Sequence, residues 1–198
     1  MAFDRTTSQV LYDDGTHKCI SFTSLVKGEG VQANQFLIID HERAAVLDPG
    51  GDLTYVPLTM ELNKYTRLTN LDFVMASHQD PDIITSMPRW LVYTEAKVVA
   101  SKLWARFLPH LNSAFMSERM KGNWLDRLVE LPDHGQVITL GQSSIIAVPA
   151  HFLHSVGNFQ FYGPIAKILF SGDMGASMVD DASKPLENFA AHIPKMKG

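Results

Sequence analysis

The sequence contains a single cysteine, Cys19, so it cannot form a disulfide within the chain. Its first residues do not place a basic segment before an apolar one, as a secretory signal would. No apolar run approaches the roughly 18 residues that a bilayer-spanning helix needs. Because disulfides belong mainly to oxidising compartments, we expect a soluble, cytoplasmic protein that contacts no membrane.

Positive charge is not in excess. The 198 residues include 17 Lys and Arg against 21 Asp and Glu, which gives a net charge of −4. No Lys/Arg cluster interleaved with aromatic residues is present, so nucleic acid is not an expected partner. Hydrophobic residues make up 45% and charged residues 19%, which is ordinary for a globular protein. The length suits one domain, residues 1–198, with a sizeable core.

Residues 77–83 carry the strongest chemical signal, directly after a short apolar run that predicts a buried strand. They include His78, Asp80 and Asp82. Charged groups at the end of a buried strand need a partner or a metal ion. In an extended chain, residues two apart point the same way, so these three side chains could converge on one ion. Pro81 disfavours helix at Asp80 and predicts a loop; the alternative is a polar turn that caps the next helix.

Two later segments end predicted strands with the same residue types. His151 and His154 follow an apolar run over residues 144–148, and Asp173 ends another over residues 168–173. Three strand ends that finish in His or Asp predict ligands delivered to one edge of a sheet.

These segments resemble the motifs of the metallo-β-lactamase superfamily. The first motif, His-x-His/Glu-x-Asp-His, is matched by His78, Asp80 and Asp82. The second, Gly-His-Thr-x-Gly, is matched by residues 154–157, and the third by Gly172-Asp173. The similarity is greatest to the flavodiiron proteins and their stand-alone oxygen-binding di-iron relatives, in which an acid replaces the second histidine. Three motifs in this order are more specific than any one of them.

The resemblance runs from about residue 25 to residue 178 and implies an α/β fold, the metallo-β-lactamase-like four-layer αββα sandwich. After residue 178 the sequence becomes polar. The last helix and strand of the sandwich's second half are therefore expected to be missing. Residues 178–198 would form a polar tail or the start of a missing C-terminal part.

The resemblance also implies a ligand set. His78, Asp80, His154 and a bridging Asp173 would hold a first iron, and Asp82 with Asp173 a second. Three carboxylates and two imidazoles suit iron, or manganese, better than zinc, although zinc remains an alternative. No catalytic residue is predicted beyond these metal ligands.

Two departures from the family weaken the second iron site. Ile83 stands where the first motif ends in histidine, and His192 is too close to Asp173 to replace the family's last ligand. The unfilled position, beside an apolar side chain, would favour O₂ over bulk water. No Gly-rich phosphate loop is present, so we expect no flavin.

We therefore predict a non-haem di-iron protein that binds O₂, as a sensor or stand-alone relative of flavodiiron oxygen reductases. A homodimer and a redox or signalling partner protein would fit the family; whether O₂ is reduced is left open. One alternative is a hydrolase that acts through metal-bound hydroxide. The other is a catalytically inactive scaffold.

The remaining pattern predicts β-hairpins before the first motif and alternating helices and strands around it. Helices are expected over residues 53–65, 84–93, 102–111 and 113–128. Asp48 follows a predicted strand, where a turn or helix-cap role is the simpler interpretation and support of the metal site the alternative. His41, His110 and His134 are predicted to be surface or hydrogen-bonded residues.

Overall fold

The computed structural model describes residues 7–26, 30–31, 33–120 and 122–175, with the backbone alone at positions 114 and 115. The described strands form two sheets. The first sheet has its strands in sequence order: β1 (Ser8–Asp13), β2 (His17–Phe22), β3 (Gln35–Asp40), β4 (Arg43–Leu47), β5 (Leu71–Met75), β6 (Lys97–Ser101) and β7 (Leu128–Leu131). The second has the order β11–β10–β9–β8, from β8 (Gln136–Leu140), β9 (Ser143–Pro149), β10 (Phe159–Gly163) and β11 (Ile168–Phe170).

The helices connect the later strands of the first sheet. The described α-helices are α1 (Asp52–Leu62), α2 (Pro81–Ile84), α3 (Met87–Tyr93), α4 (Lys102–Ala105) and α5 (Ala114–Ser117). Short 3₁₀ turns cover Leu68–Asn70, Leu108–Leu111 and Trp124–Arg127. None of the helices in the described part of the chain has the length and apolar character of a transmembrane helix.

Strand direction changes within the first sheet. β1 to β4 pair as antiparallel hairpins, whereas β4 to β7 are parallel. Parallel neighbours need crossover connections, which the helices supply. The C-terminal ends of β4, β5 and β6 consequently lie at one edge, the usual position for a ligand site in such a sheet. We call this the upper edge.

One layer of the core lies between the two sheets, and the other lies between the first sheet and the helices. The layer between the sheets is a buried apolar cluster that includes Ile38, Met75 and Phe161. On the other face of the first sheet, Leu58 of α1 and Trp104 of α4 belong to two further clusters. This arrangement of helices over paired sheets confirms the predicted α/β sandwich. The polar tail predicted for residues 178–198, and His192 within it, lie outside the described residues.

The predicted helices are only partly correct. Residues 53–65 and 84–93 correspond to α1 and to α2 with α3. The helix predicted over residues 102–111 is wrong as one element, because α4 ends at Ala105 and a 3₁₀ turn with Pro109 follows. Proline lacks the N–H that a continuing helix needs.

The single helix predicted over residues 113–128 is also wrong. Among the residues of this range that the structure describes, the helical ones are α5 and the 3₁₀ turn Trp124–Arg127. Asn123 starts the second turn, since its side chain accepts a hydrogen bond from the Leu125 N–H. Gly122 has a positive φ of 78°, which breaks any helix before that point.

Candidate metal centre

Two turns of the first sheet and two of the second meet at the upper edge. Asp48 follows β4, and Ser77 and His78 follow β5. The backbone N–H of Phe159, the first residue of β10, donates to the Ser77 carbonyl at 2.9 Å. This bond joins the second sheet to the first beside His78. The turn before β10 and the turn after β11 therefore face the end of β5.

Four side chains predicted to be ligands converge there. The Nε2 atom of His78 lies 3.5 Å from Asp80 Oδ2 and 3.6 Å from Asp173 Oδ2. The Nε2 atom of His154 lies 3.4 Å and 3.8 Å from the same two oxygens. One donor atom from each residue falls within 4.8 Å of all the others. Donors that bind one small divalent ion at about 2.0–2.2 Å have separations of this order.

Ser77 fixes which nitrogen of His78 faces the cluster. Its hydroxyl donates to Asp48 Oδ2 at 3.0 Å, and its oxygen lies 2.8 Å from His78 Nδ1. With its proton committed, the oxygen accepts from Nδ1–H. The other nitrogen, Nε2, thus presents a lone pair to the carboxylates, and it is buried with no hydrogen-bond partner among the described residues. A lone pair facing carboxylates requires a cation, either a proton or a metal ion.

The carboxylate cluster alters the acidity of its own members. Burial lowers the pKa of His78, but Asp173, Asp48 and Asp80 outweigh burial and raise that pKa above its usual value. His78 in turn holds the pKa of Asp173 below its usual value, against the effect of burial. Asp173 is therefore an anionic oxygen donor at neutral pH.

Asp48 holds Ser77, the residue before His78, through two hydrogen bonds. It is buried, with a positive φ of 52°, and its Oδ1 accepts from the Ser77 N–H at 2.8 Å. Burial raises the pKa of Asp48 to about 6, although both hydrogen bonds from Ser77 favour the ionised form. Asp48 thus lies in the turn after β4 but does not cap α1, whose cap residue is Gly51. Its carboxylate instead anchors Ser77, the residue that orients His78.

The turn with Asp80 differs from the extended loop expected for residues 77–83. Pro81 begins α2, because a missing N–H is harmless at the first helical position. Asp80 occupies the preceding cap position, yet its side chain makes no capping hydrogen bond. Its carboxylate is therefore available to the metal cluster. Ser155 Oγ donates to Gln79 Oε1 at 3.3 Å, which ties this turn to the turn with His154.

Three other residues discussed from the sequence lie outside this group of four. Asp82 is in the first turn of α2, so the extended-chain spacing that would align it with His78 does not hold. His151 Nε2 is 3.1 Å from the Asp133 carbonyl, and its ring packs edge-on against Phe159. Ile83 is buried in a core cluster. The ligand role predicted for Asp82 stays a prediction.

A family model described as ODP family beta lactamase matches residues 31–198. The chain belongs to the ODP family. This membership confirms the metallo-β-lactamase-like fold and the relationship predicted from the three motifs.

Two solved structures of the chemotaxis sensor ODP are similar over most of this chain. A structure of the chemotaxis sensor ODP as a peroxy diiron species is 35% identical, with a TM-score of 0.76, and the match covers 94% of this chain and 71% of that chain. The apo state of the sensor ODP from T. denticola is 37% identical, with a TM-score of 0.74, and the match covers 94% and 72%.

More distant relatives carry flavin or di-iron names. A diflavin flavoprotein of Synechocystis sp. is 33% identical over 96 residues, which are 46% of this chain but only 16% of that protein. A flavo di-iron protein variant from Thermotoga maritima is 18% identical, with a TM-score of 0.68 over 94% of this chain and 46% of that chain. At that identity the likeness shows the fold alone.

Proposed function

We propose that this ODP-family chain is a non-haem di-iron protein that binds O₂ and serves as an oxygen sensor. The observation that carries the proposal is the buried Nε2 of His78, which faces two carboxylates and a second imidazole without a hydrogen-bond partner among the described residues. The chemistry of the donor set supports iron, since mixed carboxylate and imidazole ligands suit that metal. The likeness to an ODP chemotaxis sensor with a peroxy diiron species supports O₂ as ligand.

In this proposal His78, Asp80, His154 and Asp173 would hold the first ion. Asp82, with Asp173, would provide the ligands of a second ion. Bound iron supplies reversible one-electron chemistry and an affinity for O₂. The protein fixes the donors: Ser77 holds the His78 ring in one tautomer, and the Ser155–Gln79 bond holds two ligand turns together.

The partners follow from the sensor role. We propose O₂ as the small-molecule ligand, no flavin in this chain, a homodimer, and a signalling or redox protein as the recipient of the signal. Light scattering of the purified protein measures the assembly state; a monomer at micromolar concentration would remove the dimer from the proposal.

Metal content and oxygen response test the central claim. Protein purified anaerobically and loaded with Fe(II) should retain about two iron ions per chain and develop a visible absorption band on exposure to air. Retention of one iron ion per chain would show that the chain has no second iron site. Turnover of thioesters or lactones by the Zn(II) form, without an oxygen response of the Fe(II) form, would instead identify a hydrolase. Failure to retain any metal would leave the scaffold alternative.

A further inference from the structure

A second buried polar group without a partner lies at the upper edge. Asn158 is fully buried, and neither its Nδ2 nor its Oδ1 has a hydrogen-bond partner among the described residues. It lies between the turn with His154 and the first residue of β10. Its backbone is fully engaged, since its N–H donates to the Ser155 carbonyl and its carbonyl accepts from the Ala150 N–H.

The carboxamide of Asn158 lies close to the turn with His78 and to the turn with Asp173. The next residue, Phe159, donates to the carbonyl of Ser77, the residue before His78. On the other side, a Cβ built on Gly172 would lie 3.7 Å from Asn158 Oδ1 and only 2.9 Å from Ser77 Oγ. Gly172 immediately precedes Asp173. Asn158 is therefore adjacent to the residues that present His78 and Asp173.

An unpaired carboxamide in the interior is unfavourable, because it has lost its hydrogen bonds to water. Natural proteins keep few such groups, and those that they keep require an explanation. The unpaired Nε2 of His78 at the same edge is explained by a cation. A buried carboxamide beside an anionic ligand set is explained when its N–H turns to donate to a ligand carboxylate, as outer-layer partners of metal sites commonly do.

We propose that Asn158 is a positioning residue for the metal centre: its Nδ2 donates to the Asp173 carboxylate when that carboxylate binds an ion. This inference rests on the proposed function, because it needs an ion at the site. It adds a residue that belongs to none of the three metal motifs. It also predicts opposite effects of one substitution on the metal-free protein and on the metal-loaded protein.

The test replaces the carboxamide by an apolar group of similar branched shape, Asn158→Leu. The matched control is Gln35→Met, because the Gln35 carboxamide is also buried and unpaired among the described residues. Gln35 lies at the same edge but on β3, two strands away from β5, the strand that His78 follows. Removing an unpaired amide relieves its desolvation, so both variants should raise the Tm of the metal-free protein, by about 2–4 °C. Only Asn158→Leu should weaken Co(II) binding, by about tenfold, and change the visible Co(II) spectrum.

Each result bears on the inference separately. If Asn158→Leu lowers the Tm of the metal-free protein, the amide already has a partner, such as an internal water, and the inference is overturned. If Asn158→Leu and Gln35→Met leave Co(II) affinity and spectrum equally unchanged, Asn158 does not act on the metal centre. If the wild-type protein binds neither Co(II) nor Fe(II), the proposed function is refuted, and the role given to Asn158 is refuted with it.

Discussion

Asp40 accepts a hydrogen bond at 2.6 Å from the backbone N–H of Gln142, 102 positions further along the chain. Asp40 ends β3, and Gln142 lies in the turn between β8 and β9, so the bond joins the two sheets at the edge opposite the metal centre. The same carboxylate lies 3.0 Å from Nδ1 of the buried His17. Gly141 allows the close approach, because a Cβ there would fall 2.5 Å from Asp40 Oδ2.

This buried carboxylate predicts loss of stability in acid. Burial raises the pKa of Asp40, but hydrogen bonds from His17, Gln142 and His41 outweigh burial and hold the pKa below its usual value. Folding therefore favours the ionised form. Its stabilisation is present above the unfolded pKa of about 3.9 and is lost as the pH falls through the folded pKa.

Asp40→Asn should accordingly lower the free energy of unfolding at pH 7 by about 1.5–3 kcal/mol. It should also make stability fall less between pH 5 and pH 3 than in the wild-type protein. Urea unfolding at each pH measures both effects. Asp126→Asn, at an exposed site, is the control. An unchanged pH dependence in Asp40→Asn would show that another carboxylate governs acid unfolding.

The two neighbouring histidines, His151 and His154, should differ in metal binding. His154→Ala removes a donor and should abolish binding of the first ion, whereas His151→Ala removes a bond to a backbone carbonyl and should leave binding nearly unchanged. Asp173→Ala should abolish binding of both ions. Metal content after gel filtration measures all three. Equal loss of metal in His151→Ala and His154→Ala would refute the assignment of His154.

Ser77→Ala removes the hydroxyl that accepts from His78 Nδ1–H and donates to Asp48 Oδ2, but keeps the backbone N–H bond to Asp48 Oδ1. The imidazole then loses its fixed tautomer and orientation, and Co(II) affinity should fall by about 10–100-fold. Ser143→Ala is the control, since its hydroxyl bonds the Leu140 carbonyl at the opposite edge. Competition with a chelator measures the affinity; equal affinities in the two variants would contradict the role given to Ser77.

Cys19 should be unreactive in the folded protein. It is fully buried between the sheets, and burial raises the pKa of its thiol to about 12. A disulfide reagent at pH 8 should therefore label almost no protein until denaturant is added, and then one thiol per chain. Rapid labelling of the folded protein would mean that the first sheet opens readily.

The sequence predicted those parts of the site that depend on local signals. His78, His154 and Asp173 lie in the turns that follow short apolar strands, and strand ends of one sandwich meet at a shared edge. Asp82 was harder to place, because whether Pro81 ends a loop or begins a helix depends on packing of the next residues against the core. Support from Asp48 was only the less favoured interpretation, since it depends on a bond to Ser77, 29 positions away.

The helix prediction over residues 102–111 was wrong for a related reason. Residues 102–111 have apolar spacing typical of a helix, but α4 ends at Ala105 and a 3₁₀ turn with Pro109 follows. Nothing in the sequence around Asn158 indicated a role at the metal centre. A lone asparagine after glycine predicts a turn, and only the fold shows that its side chain is enclosed and unpaired.

The four donors lie on turns from both sheets, and His154 is 74 positions from Asp80. An ion held by both residues would act as a cross-link that closes a loop of that length. An ion that binds the folded chain and not the unfolded one would stabilise the fold by about 4 kcal/mol at a free concentration about 1,000 times its Kd. Iron supply would then govern how long the protein survives proteolysis in the cell, in addition to whether it responds to oxygen.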